Sequence, residues 1–226
     1  MTSGASRGDR PRAALFDMDR TLLRIETASL YVRYQWQLGE ATWRDMAQAL
    51  LWVGQYTLGV LDVTKAAAQA LRPLKGVPEI LLSTRCDDWF RLRVEPHITD
   101  AGRLAVGRHR AAGDICAIVT GASSYSARPL ARLLGIDHLV ATELEVDAEG
   151  RFTGRPSPPI CYGEGKVLRA TKLAEALGFR LEEATFYSDS ISDLPLLERV
   201  AEPVCVNPDP RLRRAASRRR WRIERW

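Results

Sequence analysis

The spacing of apolar and polar positions changes period along this chain. Ala13 to Phe16 is an unbroken apolar run of strand length, as expected of a strand buried on both faces. From Leu22 to about Pro96 the spacing is helical. Leu30, Tyr31, Tyr34 and Leu38 recur every three or four residues within Thr27 to Leu38. Thr42 to Val60 and the alanine-rich Asp62 to Leu71 follow; Pro73, Gly76 and Pro78 punctuate, and Glu79 to Leu92 resumes. So long a helical stretch directly after a first strand predicts an inserted all-helical cap.

Strands and helices then alternate. Asp100 to Ala112 reads as a helix stopped by Gly113, Ile115 to Val119 as a buried strand, and Ser126 to Leu134 as a helix closed by Gly135. His138 to Ala141 is a short strand, and Leu144 to Phe152 alternates around Asp147-Ala148-Glu149-Gly150 as a hairpin does. Glu164 to Leu177 is a helix with Gly178 after it, Ala184 to Tyr187 a strand, Leu194 to Val200 a short helix and Pro203 to Val206 a last strand. This rhythm predicts an α/β fold, a Rossmann-like, mainly parallel sheet carrying the cap. The expected division is a core of 1–21 and 97–210, a cap of 22–96 and a tail of 211–226, with Met1 to Arg10 disordered.

Charge and cysteines narrow the setting. The net charge is +5, yet Pro208 to Trp226 alone hold eight arginines against Asp209 and Glu224, which leaves the rest close to neutral. Such a tail suits an anionic surface; a solvated tail in an arginine-biased chain explains it as well, and no nucleic-acid partner is expected. The apolar stretch Leu50 to Leu61 has two readings, contact with a membrane surface or burial between cap helices. The window Met46 to Leu61 is too short and too interrupted to span a bilayer. Cys86, Cys116, Cys161 and Cys205 are too scattered for a zinc site or a disulfide framework. With no apolar stretch in Met1 to Pro11, they point to a cytoplasmic protein with reduced thiols.

Chemistry gathers at strand ends. Asp17, Asp19 and Thr21 follow the first strand, Thr120 and Gly121 the second, and Ser188 to Asp193 the strand Ala184 to Tyr187; Lys166 opens the helix after Gly163-Glu164-Gly165. In an open α/β sheet ligands bind beyond the carboxyl ends of the strands, so parallel neighbours would bring all four features to one edge. Carboxylates that can attack, move protons or hold a hard cation, a lysine for phosphate charge, and a hydroxyl with a backbone N–H together fit phosphoryl transfer.

Asp17/Asp19/Thr21, Thr120, Lys166 and Asp189/Asp193, in this order, resemble the signatures of the haloacid dehalogenase-like hydrolases, subfamily IB, the phosphoserine phosphatase-like group. The resemblance implies a phosphatase of small-molecule phosphomonoesters. In it Asp17 is the nucleophile, Asp19 the proton donor and then acceptor, and Lys166 the group that steadies nucleophile and phosphate. Thr120 and the Gly121 N–H bind phosphate. Mg²⁺ sits on the carboxylates of Asp17 and Asp189 and the backbone carbonyl of Asp19, with Asp193 supporting the metal site. Glu26 stands at an offset where phosphoserine phosphatases carry a substrate-contacting glutamate; an ordinary first-turn acid is the other reading. Arg20, where the family has a small residue, either reaches phosphate or faces solvent. Ser192 and Ser188 depart from the phosphoserine phosphatase pattern. His97, His109 and His138 read as structural or surface residues, Trp36, Trp43, Trp52 and Trp89 as cap core. A phosphotransferase with the same intermediate, a binding or regulatory protein acting through the tail, and a dehalogenase are the competing activities.

Overall fold

The computed structural model describes residues 11–58 and 62–226. The expected disorder of Met1 to Arg10 and the end of the apolar stretch, Gly59 to Leu61, lie outside the described residues. Strand β1 (Ala13–Phe16) is followed by a kinked turn, then by α1 (Thr27–Gln37), α2 (Trp43–Leu58), α3 (Val63–Leu71) and α4 (Glu79–Trp89). Next come α5 (Asp100–Ala111), β2 (Ile115–Ser123), α6 (Ser124–Leu134), β3 (His138–Thr142), β4 (Leu144–Val146) and β5 (Phe152–Pro156). The chain continues through α7 (Glu164–Leu177), β6 (Thr185–Ser188), α8 (Leu194–Leu197), β7 (Glu202–Val206), α9 (Pro210–Arg219) and β8 (Arg222–Glu224).

Six strands form one parallel sheet in the order β3-β2-β1-β6-β7-β8. The apolar run of β1 is explained by burial on both faces. Ala14 and Phe16 join a core with Val106, Leu130 and Tyr187, whereas Ala13 and Leu15 face a second core with Val167, Ala170 and Phe186. Phe16 pairs in register with Ile118 of β2 and with Tyr187 of β6. The strand order reverses at β1, so the crevice at its carboxyl end is the place where such sheets bind ligands.

The helical segment leaves and re-enters the sheet through paired backbone. Leu23 bridges Ile98, the Arg24 N–H donates to the His97 carbonyl at 2.9 Å, and the Thr99 N–H donates to the Leu22 carbonyl at 2.9 Å. Leu22, Leu23, Trp89, Phe90 and Val94 are buried in the sheet's own core, although the sequence counts them with the cap. A small third core, Leu82, Cys86, Tyr125, Leu144 and Phe152, ties α4 to α6 and to the β4–β5 hairpin.

Three expectations are corrected. The stretch 211–226 is not a free tail: α9 caps on Asp209, buries Leu212 and Ala216 one helical turn apart, and returns as edge strand β8 beside β7. The eight arginines conceal those two small apolar contacts. Trp43 is 67% exposed, and Trp36 is also exposed, so neither belongs to a cap core, whereas Trp89 is buried. Leu50 is 70% exposed and Leu51 is exposed too, contrary to the reading that buries them between cap helices; α2 packs on α1. Among the described residues no helix is long and apolar enough to cross a membrane.

Candidate active site

Asp17 is the first residue beyond β1, and its N–H donates to the Tyr187 carbonyl at 2.9 Å. That bond holds the backbone between two strands as it leaves the sheet. The Asp17 carboxylate is buried, and its Oδ1 accepts a 2.7 Å hydrogen bond from Lys166 Nζ. Lys166 also donates to Asp193 Oδ2 at 2.7 Å, and the same oxygen accepts from Ser188 Oγ at 2.7 Å. One buried ammonium therefore joins the residue after β1 to the loop after β6.

Lys166 reaches this position because α7 starts so close to the preceding loop. A Cβ on Gly165 would lie 1.9 Å from the Ile160 carbonyl oxygen, so only glycine allows that approach. Asp189 follows β6 and is nearly buried, and its carbonyl accepts from the Asp209 N–H at 2.8 Å. The fourth carboxylate lies in the kinked turn. Asp19 accepts from both the N–H and the Oγ1 of Thr27, each at 3.0 Å, so the start of α1 fixes it.

Strand β2 runs on past the expected Val119 to Ser123, so Thr120 is buried inside it, three residues before its end, and its Oγ1 accepts from the Ala122 N–H at 3.2 Å. The register between β2 and β3 slips from Val119 to Ser123, and the Gly121 carbonyl there accepts from Thr142 Oγ1 at 2.9 Å. Glu26 is the N-cap residue of α1 and accepts from Ser29 Oγ at 3.1 Å. The Arg20 guanidinium lies 3.7 Å from the Glu26 carboxylate.

The electrostatics follow from crowding carboxylates out of water. Burial lifts Asp17 to about 7; Lys166 pulls it down and Asp193 pushes it up. Burial lifts Asp19 to about 6 against the two Thr27 hydrogen bonds. Asp189 is pushed to about 9, first by burial and then by the charges of Asp17 and Asp193. For Lys166 burial favours the neutral amine, but Asp17 and Asp193 outweigh it and hold the ammonium above its usual range.

The structure thus joins Asp17, Lys166 and Asp193 by hydrogen bonds, sets Asp189 where the charge of Asp17 acts on it, and places Thr120 in the adjacent strand β2. Arg20 and Glu26 lie farther out. Sequence reasoning missed two participants. Ser188 falls in the loop that the sequence singles out, but nothing in the spacing signals that it binds Asp193, or that Thr27 binds Asp19. Ser123 caps α6 through the Ser126 N–H. His109 bridges Asp114 and Tyr187, a structural role.

The family model of the haloacid dehalogenase-like hydrolases matches residues 14–198. A histidinol-phosphatase of Neisseria meningitidis is 30% identical over 214 residues, 93% of this chain and 96% of that one. A phosphoserine phosphatase of Mycobacterium tuberculosis is 31% identical over 219 residues, 95% of this chain and 71% of that one. A solved structure of a Bordetella pertussis protein with unknown function aligns with a TM-score of 0.85 at 34% identity, covering 95% of this chain and 98% of the other. With a family match over most of its length on top of this sheet order, the chain belongs to the haloacid dehalogenase-like hydrolases and is an enzyme of their phosphoserine phosphatase-like branch.

Proposed function

We propose that this phosphoric monoester hydrolase attacks the phosphorus of a small phosphomonoester with the carboxylate of Asp17. The observation that carries the reading is the Lys166 ammonium, 2.7 Å from both Asp17 and Asp193 at the switch point of the sheet. In the first step an Asp17 oxygen bonds to phosphorus, the ester P–O bond breaks, and the Asp19 proton passes to the leaving oxygen. In the second, Asp19 takes a proton from water, the water oxygen bonds to phosphorus, and the aspartyl-phosphate bond breaks. The Asp19 value of about 6 suits a group that gives and then takes a proton near neutrality. Thr120 Oγ1 and the Gly121 N–H bind the phosphoryl oxygens, and helices α1–α4 act as a cap that excludes water.

The donor set fits Mg²⁺. That ion keeps several waters and takes one or two carboxylates together with substrate phosphate. Asp17 and Asp189 would supply hard oxygens, and the family pattern adds the Asp19 carbonyl. Asp193 Oδ1 is a buried oxygen without a hydrogen-bond partner in the described structure, a further mark of uncompensated negative charge. Among the described residues no three His, Cys, Asp or Glu groups form a ligand cluster. The Asp19 carboxylate is already held by Thr27, and Asp193 Oδ2 by Lys166 and Ser188, so these two support the site rather than bind the ion. Bound there, the ion would offset the charge between nucleophile and phosphate. Relatives named for histidinol phosphate and for phosphoserine bracket the substrate class, a small metabolite phosphomonoester. The four buried free cysteines suit a reducing cytoplasm.

Turnover of p-nitrophenyl phosphate with Mg²⁺ tests the reading. Asp17→Asn, which preserves volume, abolishes it while the circular dichroism spectrum is unchanged. Activity surviving that change rules out the aspartyl-phosphate route.

A further inference from the structure

Arg20 is held in an unfavourable backbone conformation between two residues of the catalytic turn. Its φ is +55° with ψ at 4°, the left-handed region, which costs a non-glycine residue about 1 kcal/mol. Such strain persists only where the surroundings impose it, and it gathers at functional sites. Here the Arg20 N–H donates to the Ile25 carbonyl at 3.0 Å, closing a tight loop. The side chain is 59% exposed, and its only ion pair in the described structure is the 3.7 Å approach to Glu26, too long for a hydrogen bond. No described residue accepts a hydrogen bond from the guanidinium.

The charge balance gives this cation a purpose. Asp17, Asp19, Asp189 and Asp193 share one lysine, and a phosphomonoester brings a dianion into their midst. A divalent cation would compensate only part of that. On the reading proposed above, we infer that Arg20 is a phosphate-binding residue: its guanidinium rests against Glu26 and turns to the phosphoryl oxygens of the bound ester. Arginine suits this better than lysine, since its planar fork matches two phosphate oxygens at once.

Glycine at this position relieves the backbone strain, so Arg20→Gly removes the guanidinium without endangering the fold. The readout is competitive inhibition by inorganic phosphate of p-nitrophenyl phosphate turnover. Arg20→Gly keeps or raises the melting temperature and weakens phosphate by about tenfold, the loss expected of a charge-assisted contact. Arg20→Lys recovers part of the loss. Glu26→Gln frees the guanidinium and tightens phosphate. The double variant Arg20→Gly with Glu26→Gln stays weak, because the missing group is the cation. Unchanged phosphate inhibition in Arg20→Gly overturns the inference. Wild-type affinity in the double variant overturns it too, since Arg20 would then only mask Glu26. The Asp17→Asn assay fails or succeeds independently, so a wrong mechanism and a wrong role for Arg20 are told apart.

Discussion

The backbone N–H of Asp209 donates to the carbonyl of Asp189 at 2.8 Å. The Asp209 side chain continues the tie. One oxygen accepts from the N–H groups of Arg211 and Leu212, capping α9, and the other accepts from the Ile191 N–H at 2.7 Å. The N-cap residue of α9 therefore anchors the loop that carries Asp189 and Asp193.

Asp209→Ala is expected to cost about 1 kcal/mol through the cap alone. It also lowers kcat, because the Ile191 contact is lost with it. Asp209→Asn keeps a capping acceptor and most of the stability. Thermal melts and steady-state kinetics on the two variants check this; wild-type turnover in Asp209→Ala would sink it. Deleting 208–226 is expected to prevent folding rather than merely remove charge, since it strips β8 from the sheet and Leu212 and Ala216 from the core.

The raised carboxylates set a pH dependence of stability. Asp17, Asp19 and Asp189 sit at about 7, about 6 and about 9 in the folded protein, against 3.8 for a free aspartate. Between these limits the folded state binds more protons than the unfolded state, so stability falls as pH rises. The metal-free protein is expected to melt highest near pH 4 to 5 and to lose melting temperature steadily toward pH 9. Millimolar Mg²⁺ restores stability mainly on the alkaline side, where the ligands are ionised. Melting curves from pH 4 to 9 with EDTA or Mg²⁺ test this. A metal-free protein that gains stability with pH contradicts it.

Gly165→Ala is expected to damage the site without touching a reactive group. The new methyl meets the Ile160 carbonyl oxygen, which is backbone, so α7 must shift and carry Lys166 with it. A cost of about 1–3 kcal/mol is expected, with a larger fall in kcat than in substrate affinity. Gly107→Ala, where a Cβ meets nothing within 4 Å, is the matched control and is neutral or slightly stabilising. Equal effects of the two substitutions would contradict the close-approach account.

Leu50→Glu is expected to leave stability within about 0.5 kcal/mol of wild type, because the side chain is 70% exposed. Leu82→Glu, by contrast, places a charge in the small core beneath α4 and is expected to unfold that corner. Urea denaturation of both variants separates a surface α2 from an α2 buried between cap helices.

Several elements were legible because a local pattern and a tertiary reason coincide. β1 and the start of β2 show as unbroken apolar runs since both faces are buried, and α7 runs from Glu164 to Leu177 as its spacing and Gly178 predict. α9 and β8 were not legible. Their burial rests on Leu212, Ala216 and an edge-strand pairing, too few apolar positions to stand out among arginines. The exposure of Trp43 and Leu50 was equally invisible, since an apolar helical stripe does not say what covers it.

The same boundary runs through the site. The sequence by itself determined the candidate inventory, Asp17, Asp19, Thr120, Lys166, Asp189 and Asp193, and the order of the strands and helices that carry it, because residue types and periodicity are local properties. Only the tertiary structure decided how they divide the work: Lys166 between Asp17 and Asp193, Thr27 on Asp19, Ser188 on Asp193, Asp209 under the Asp189 loop, and Arg20 beside Glu26. Arg20–Glu26 and Ser188–Asp193 are local contacts within one turn or loop; the others link residues far apart in the chain or in different elements, and the long-range distances are set by strand register and helix packing, which local spacing does not encode.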